Sequence, residues 1–236
     1  MRLKSNFKQT AIAIVLLSLA MALLESAVVV YLRALYYPEG FVFPMKNISD
    51  IIGITELLRE FATLIMLAGI GYIAGNNSKE RWAWFMIAFG IWDIFYYVFL
   101  YVLIGWPAAL TDMDILFLIP WAWFGPVYAP VLVSIALIAF GSLILIDNSQ
   151  DFPVGPQTLV KNLFILACVL IILSFTYPFL LYSIEIKQDL RTGALSYLPE
   201  YDGILFAIGY SIMSVALIYY GINLKRSGNK RIMAYF

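Results

Sequence analysis

Apolar residues gather into six long blocks, near 10–32, 52–75, 82–105, 127–146, 158–182 and 203–224. Polar stretches such as "NNSKER", "DNSQDFPVGPQ" and "KQDLRTG" separate them. A hydrocarbon core of about 30 Å takes about 20 helical residues to cross, and each block is long enough. The pattern predicts an all-α, polytopic membrane helical bundle of six transmembrane helices, forming a single integral-membrane domain over 1–236. No internal repeat, coiled-coil heptad or low-complexity tract stands out.

The approach to the fourth block breaks the pattern. "DMDILFLIPWAWFGPVYAP", residues 112–130, holds Pro120, Pro126 and Pro130. Proline lacks the helix donor and clashes with the preceding turn, so this stretch is not one straight helix. We expect a short interfacial or re-entrant helix over 113–119, an irregular turn, and a span from about 127. Irregular backbone at membrane depth is tolerated where protein buries it or a cavity adjoins it. The 113–126 element would lie as a lid, with Asp114, Pro120, Trp121, Trp123 and Pro126 as its candidate residues. Trp106, Trp121 and Trp123 fit an interfacial aromatic belt. Asp112 and Asp114 are read as a cap or first-turn acid of the short helix.

A second break lies in "ITELLREFATLIML", residues 54–67, where Glu56, Arg59 and Glu60 crowd about one turn. Starting the span after them leaves Phe61 to Gly75, about 22 Å at 1.5 Å per residue, which is too short. The charges therefore belong at membrane depth. A charge at the centre of a bilayer costs about 2.5–3.5 kcal/mol on insertion scales, so three in one turn should not face lipid. Glu56, Arg59, Glu60 and Thr63 are spaced i, i+3, i+4, i+7 and share one face. Depth matching gives them Glu25 and Arg33 from the first helix and Asp93 from the third, followed by Tyr96, Tyr97 and Tyr101. The candidate ligand- or ion-binding residues are Glu25, Arg33, Glu56, Arg59, Glu60, Asp93 and Tyr97. Gly71 and Gly75, a G-x-x-x-G pair, with Gly69 and Gly90, favour close helix approach.

Composition supports a lipid environment: 63% of residues are hydrophobic and 13% charged, with a mean hydropathy of +0.87. Zero net charge and the lack of a long basic run offer nothing to nucleic acid. The absence of histidine removes the usual zinc and haem ligand sets and the Ser-His-Asp triad. No haem, zinc or other cofactor is expected, although carboxylates suit a hard cation such as Ca²⁺, Mg²⁺ or Mn²⁺. Cys168, the single cysteine, reads as a small buried apolar residue. Ten Lys and Arg residues fall at the N-terminus, the 2–3 and 4–5 loops and the C-terminal tail. Arg33, Lys46, Lys187 and Arg191 fall on the other side. The positive-inside rule then puts both termini in the cytoplasm. The first block runs past Glu25 without a clean cleavage site, so it reads as an uncleaved helix.

Four stretches together resemble an uncharacterised family of bacterial integral-membrane proteins. They are "ESAVVVYLRALYYPEGF" from Glu25, "ELLREFATLIML" from Glu56, "WDIFYYVFLYVLIGWP" from Trp92 and "DILFLIPWAWFGPVYAPV" from Asp114. The resemblance covers roughly 25–131 and implies a multi-pass protein of a bacterial inner membrane, with no activity attached.

The carboxylates outnumber the basic groups, and a surplus in a low-dielectric site must be protonated, bind a cation or meet water. The first expectation is therefore a protein that binds or transports a cation, proton or small solute. One alternative is an intramembrane enzyme acting on a lipid or isoprenoid substrate, with Arg59 and Arg33 on its phosphate. The other is a non-catalytic subunit or assembly factor of a membrane complex, with a purely structural ion-pair network. Bilayer lipid is the one partner the composition requires.

Overall fold

The computed structural model describes residues 7–38, 50–119, 122–149, 158–185 and 201–234. All six apolar blocks are helical: α1 (Phe7–Tyr36), α2 (Asp50–Ala74), α3 (Ser78–Ile104), α4 (Tyr128–Asn148), α5 (Thr158–Glu185) and α6 (Gly203–Ala234). Among the six helices, the largest departure in extent is α6, which continues past its apolar block into "KRSGNKRIMA". Five of the helices, α1, α3, α4, α5 and α6, are long and apolar enough to cross a membrane. The sixth, α2, is 25 residues long and carries Glu56, Arg59 and Glu60 in its N-terminal half. The chain is an all-helical, multi-pass membrane protein.

Helix ends are set by local chemistry. The Asn77 side chain accepts the Lys79 and Glu80 amides at 3.0 and 3.1 Å, satisfying donors that the first turn of α3 leaves open. Gly105, with φ of 68°, closes α3 in the left-handed conformation that glycine adopts at low cost. Helix α4 has no side-chain cap at Val127. Instead the Val127 and Tyr128 amides donate to the Asp112 and Leu110 carbonyls at 3.0 and 2.8 Å. Pro130 sits in the first turn of α4, where a missing amide costs nothing.

Helices α3 and α4 form the spine of the bundle and share its most extensive contact. Two glycines let their backbones meet. A Cβ at Gly90 would lie 2.6 Å from the Ser134 carbonyl, and one at Gly141 2.6 Å from the Ala83 carbonyl. Gly71 and Gly75 similarly bring the end of α2 against the backbone of Arg81, whereas Gly69 faces open space. Helices α1 and α2 each pack on α3 and only sparsely on each other, while α6 packs on α5 and, less extensively, on α4. The buried side chains divide accordingly. One cluster centres on Met21, Leu67, Trp84 and Trp92, the other on Phe140, Ile171, Phe175, Met213 and Tyr220.

The stretch before α4 is not helical, which corrects the expected 113–119 helix. It forms a two-stranded antiparallel hairpin, β1 (Met113–Phe117) and β2 (Trp123–Pro126), with Asp114 opposite Gly125 and a bulge between Ile115 and Phe117. An isolated hairpin is marginal in water and needs a packing surface. Successive strand residues point to opposite faces. Leu116 accordingly joins the α4–α6 cluster while Phe117 joins the α1–α3 cluster. The hairpin is thus wedged between the two halves of the bundle. Pro126 ends β2, where a strand tolerates proline. Pro120 and Trp121 lie outside the described residues.

The helices alternate in direction. The hairpin, Trp106 and the start of α4 share one end, called here the hairpin end. At the opposite end Asn148 donates to Glu80 at 2.7 Å and the Tyr220 hydroxyl donates to Asp147 at 3.0 Å. The Phe7 ring packs at a tilt against Trp84 there, so α1 starts and α6 finishes away from the hairpin.

Candidate functional site: a polar cluster at the hairpin end

Arg59 is the hub of the cluster. Its Nε and Nη2 donate to the two oxygens of Glu56 at 3.0 and 2.6 Å, a fork that one-turn spacing on α2 allows. Its Nη1 pairs with Glu25 of α1, joining two helices that otherwise barely touch. Glu60 stands at 4.0 Å from Nη2, the outer limit of an ion pair. Glu60 has a second partner: its Oε2 accepts the backbone amide of Leu118 at 2.9 Å, tying the hairpin to α2. Thr63 shares the face, as its spacing predicts, but its hydroxyl is taken by the Arg59 carbonyl at 3.2 Å.

A second centre lies where α1, α3 and the hairpin meet. Arg33 Nη2 is 3.5 Å from Asp114 Oδ1, and its guanidinium lies 3.8 Å above the Trp106 ring. Such stacking contributes about 0.5–2 kcal/mol, depending on desolvation. Asp114 is 3% exposed, and its Oδ2 has no hydrogen-bond partner among the described residues. Burial pushes its carboxyl up to about 6, against the pull of Arg33, the Ile115 amide and the nearby Tyr97 hydroxyl. Asp114 is therefore neither a helix cap nor a first-turn acid. Asp112 does cap, but it caps a turn: its Oδ2 accepts the Ala108 and Ala109 amides at 2.8 and 3.2 Å.

Asp93 of α3 does not reach Arg59. Its Oδ2 accepts the Ser134 hydroxyl of α4 at 2.8 Å. It lies within electrostatic reach of both Asp114 and Glu25. Tyr96 and Tyr97 stand one turn further along α3, their rings 4.8 Å apart and edge to face. Tyr97 is buried, while Tyr101 is 60% exposed and points away from the cluster. Ser26 ties α1 to α3 through the Tyr96 carbonyl at 3.0 Å. Trp123 does not sit in a lipid-facing belt: its ring packs against Phe117 and Phe175.

Glu25, Arg33, Glu56, Arg59, Glu60, Asp93, Tyr97 and Asp114 therefore lie at one end of the bundle, in two linked groups. Three participants escaped the sequence reading. Ser134 had no signal beyond a hydroxyl in an apolar helix. The Leu118 amide is backbone, and a backbone donor leaves no mark in side-chain patterns. The pairing of Trp106 with Arg33 joins residues far apart in sequence. Among the described residues no three acidic or cysteine side chains are grouped as ligands for a metal ion.

No family model, curated protein or solved structure matches the chain. The four motifs that resemble a bacterial membrane family stand without support from these comparisons. Fold and residue geometry identify the chain as an integral, multi-pass membrane protein built on six helices, with a buried ion-pair cluster at one end.

Proposed function

We propose that this protein binds a small cation, a proton or a small cationic solute at the hairpin end, which faces outward from a bacterial inner membrane. The observation that carries the reading is a charge imbalance. Five carboxylates, Glu25, Glu56, Glu60, Asp93 and Asp114, share the cluster with two guanidinium groups, Arg33 and Arg59. Full ionisation would leave an excess of three negative charges at a low-dielectric site. Neutralisation must come from protons or from a bound cation. The orientation rests on the bias of Lys and Arg toward the opposite end.

Titration of the purified protein in lipid nanodiscs tests this, with protons, Na⁺, K⁺, Mg²⁺, Ca²⁺ and alkylammonium ions as the panel. Saturable uptake of at least one is expected. It should be lost in a Glu60→Gln, Asp93→Asn double variant that keeps its helical content. Uptake of none across the panel would end the reading.

A second reading applies to part of the same cluster. The Arg59–Glu56–Glu25 group is closely paired, which supports a structural brace between α1 and α2. The two readings divide the cluster between them.

A further inference from the structure

We propose that the turn joining α2 to α3 holds the phosphate of an anionic phospholipid, with Arg81 as its anchor and the Tyr72 and Trp82 rings at the level of the glycerol. The site lies at the end opposite the hairpin and is independent of the cation reading.

Helix α2 ends at Ala74 and α3 begins at Ser78, while α1 begins at Phe7 and α4 ends at Asn148. Phe7 packs on Trp84, and Asn148 donates to Glu80, so these four helix ends lie near one level. Spanning helices end where hydrocarbon gives way to headgroups, which puts Arg81 at phosphate depth.

The Arg81 side chain is oriented but not used up. Gly75 lets the Arg81 backbone come close to the end of α2. The Arg81 Nε donates to the Gly75 carbonyl at 3.3 Å, and the guanidinium lies 4.1 Å over the Tyr72 ring. These two contacts hold the planar group in place. Its Nη1 and Nη2 have no hydrogen-bond or carboxylate partner among the described residues. A guanidinium offers such nitrogens as a fork to two phosphate oxygens. The adjacent acid, Glu80, is engaged elsewhere: one of its oxygens accepts Asn76 and the other Asn148.

The surroundings select the anion. Lys79, Arg81, Lys161, Lys225 and Arg226 belong to this end, against Glu80 and Asp147 among the described residues. Such a surplus favours a headgroup with net negative charge over one that carries its own ammonium. The flank of the site is apolar and open. Trp82 is 65% exposed, Ile73 is 87% exposed, and Tyr72 is exposed between Arg81 and Ile73. A soluble phosphate gains nothing from these side chains. A phosphodiester with acyl chains sets its glycerol beside the indole and phenol rings and its chains along Ile73.

Native mass spectrometry of the detergent-solubilised protein tests this. The probes are phosphatidylglycerol, phosphatidylcholine with the same acyl chains, and free glycerol 3-phosphate. Phosphatidylglycerol should be retained saturably, at least about fivefold above phosphatidylcholine, the factor that one basic residue supplies at an anionic lipid surface. Glycerol 3-phosphate should show no saturable binding. Arg81→Gln should bring phosphatidylglycerol down to the level of phosphatidylcholine at unchanged helical content. Tyr72→Leu, which removes the ring under the guanidinium, should weaken it by about twofold or more. A Lys161→Gln, Arg226→Gln double variant thins the charge at the same end but leaves the turn intact, and should keep the preference. If Arg81→Gln does not fold, Tyr72→Leu and the ratio between the two lipids decide. Equal retention of the two lipids by the unaltered protein would overturn the inference, as would undiminished phosphatidylglycerol in a folded Arg81→Gln. An equal loss in the Lys161→Gln, Arg226→Gln variant would overturn it as well, because the attraction would then be diffuse. Glycerol 3-phosphate bound as tightly as the lipid would replace the lipid with a soluble anion. None of these outcomes touches the cation reading.

Discussion

Arg59 answers carboxylates from two helices with one guanidinium. Placing charges at membrane depth is costly, and the attraction between them repays that cost only with good geometry and full hydrogen bonding. The fork to Glu56 has that geometry, and Glu25 engages the remaining guanidinium nitrogen. Removing the arginine would leave up to three carboxylates without their cation. Arg59→Ala should therefore cost about 3–5 kcal/mol, the usual penalty for breaking a buried pair. In detergent its melting temperature should fall by on the order of 10 °C. Arg59→Lys should recover only part of the loss, because an ammonium cannot bridge Glu56 and Glu25 in the same planar geometry. An unchanged melting temperature for Arg59→Ala would count against the brace. At this scale the spacing of Glu56, Arg59, Glu60 and Thr63 made their shared face legible. The partners from other elements were not equally legible: depth matching suggested Glu25 correctly but also suggested that Asp93 would join Arg59. Depth along a helix is readable from residue counts, whereas azimuth relative to a neighbouring helix depends on how the two pack. The α3–α4 seam, with Gly90 against the Ser134 carbonyl, turns Asp93 toward α4 instead.

The hairpin shows the limit of local reading for an element. "ILFLI" is as compatible with a buried strand as with a short helix, and short apolar runs do not separate the two by periodicity. Its prolines correctly excluded a continuous helix through 112–130. They did not say what replaced it, because a two-stranded ribbon depends on contacts outside itself. Here those contacts are β2 on α5 and α4, Asp114 on Arg33, and the Leu118 amide on Glu60. By contrast, the six helices were legible because a long apolar block satisfies its own backbone whatever its neighbours are. The Glu60 tether is the contact most open to test. A hydrogen bond to a charged acceptor contributes about 1.5–3 kcal/mol. Glu60→Ala should speed amide hydrogen exchange at Leu118 and along β1 by on the order of tenfold to a hundredfold, while α4 stays protected. Exchange in β1 that matches the unaltered protein would show that the other contacts suffice to hold the hairpin.

Across the whole molecule, charge is layered. Asp93 and Glu80 are 13 residues apart on α3, as are Ser134 and Asp147 on α4, which is about 20 Å of helix in each case. Between those levels α3 supplies only Arg81 at its very start, and α4 supplies no Asp, Glu, Lys or Arg. The stretches of α1 from Gln9 to Leu24 and of α2 from Phe61 to Ala74 are equally free of them. The seam is also tight, with backbone against backbone at Gly90 and Gly141. A cation reaching Asp114 or Asp93 from the hairpin end therefore meets an apolar slab on the way to the opposite side, where a charge costs about 2.5–3.5 kcal/mol even on the most lenient scale. This arrangement favours a site loaded and unloaded from one face over a continuous conduit. Sealed vesicles of defined orientation distinguish the two. A metal cation that binds in nanodiscs should bind when the hairpin end faces the bulk solution and not when it faces the lumen, and an imposed potential of 100 mV, inside negative, should drive no current or uptake of that cation above that of protein-free vesicles. Equal binding in both orientations, or potential-driven uptake that Asp114→Asn abolishes, would mean that the slab opens and that the α3–α4 seam is a moving part rather than a fixed spine.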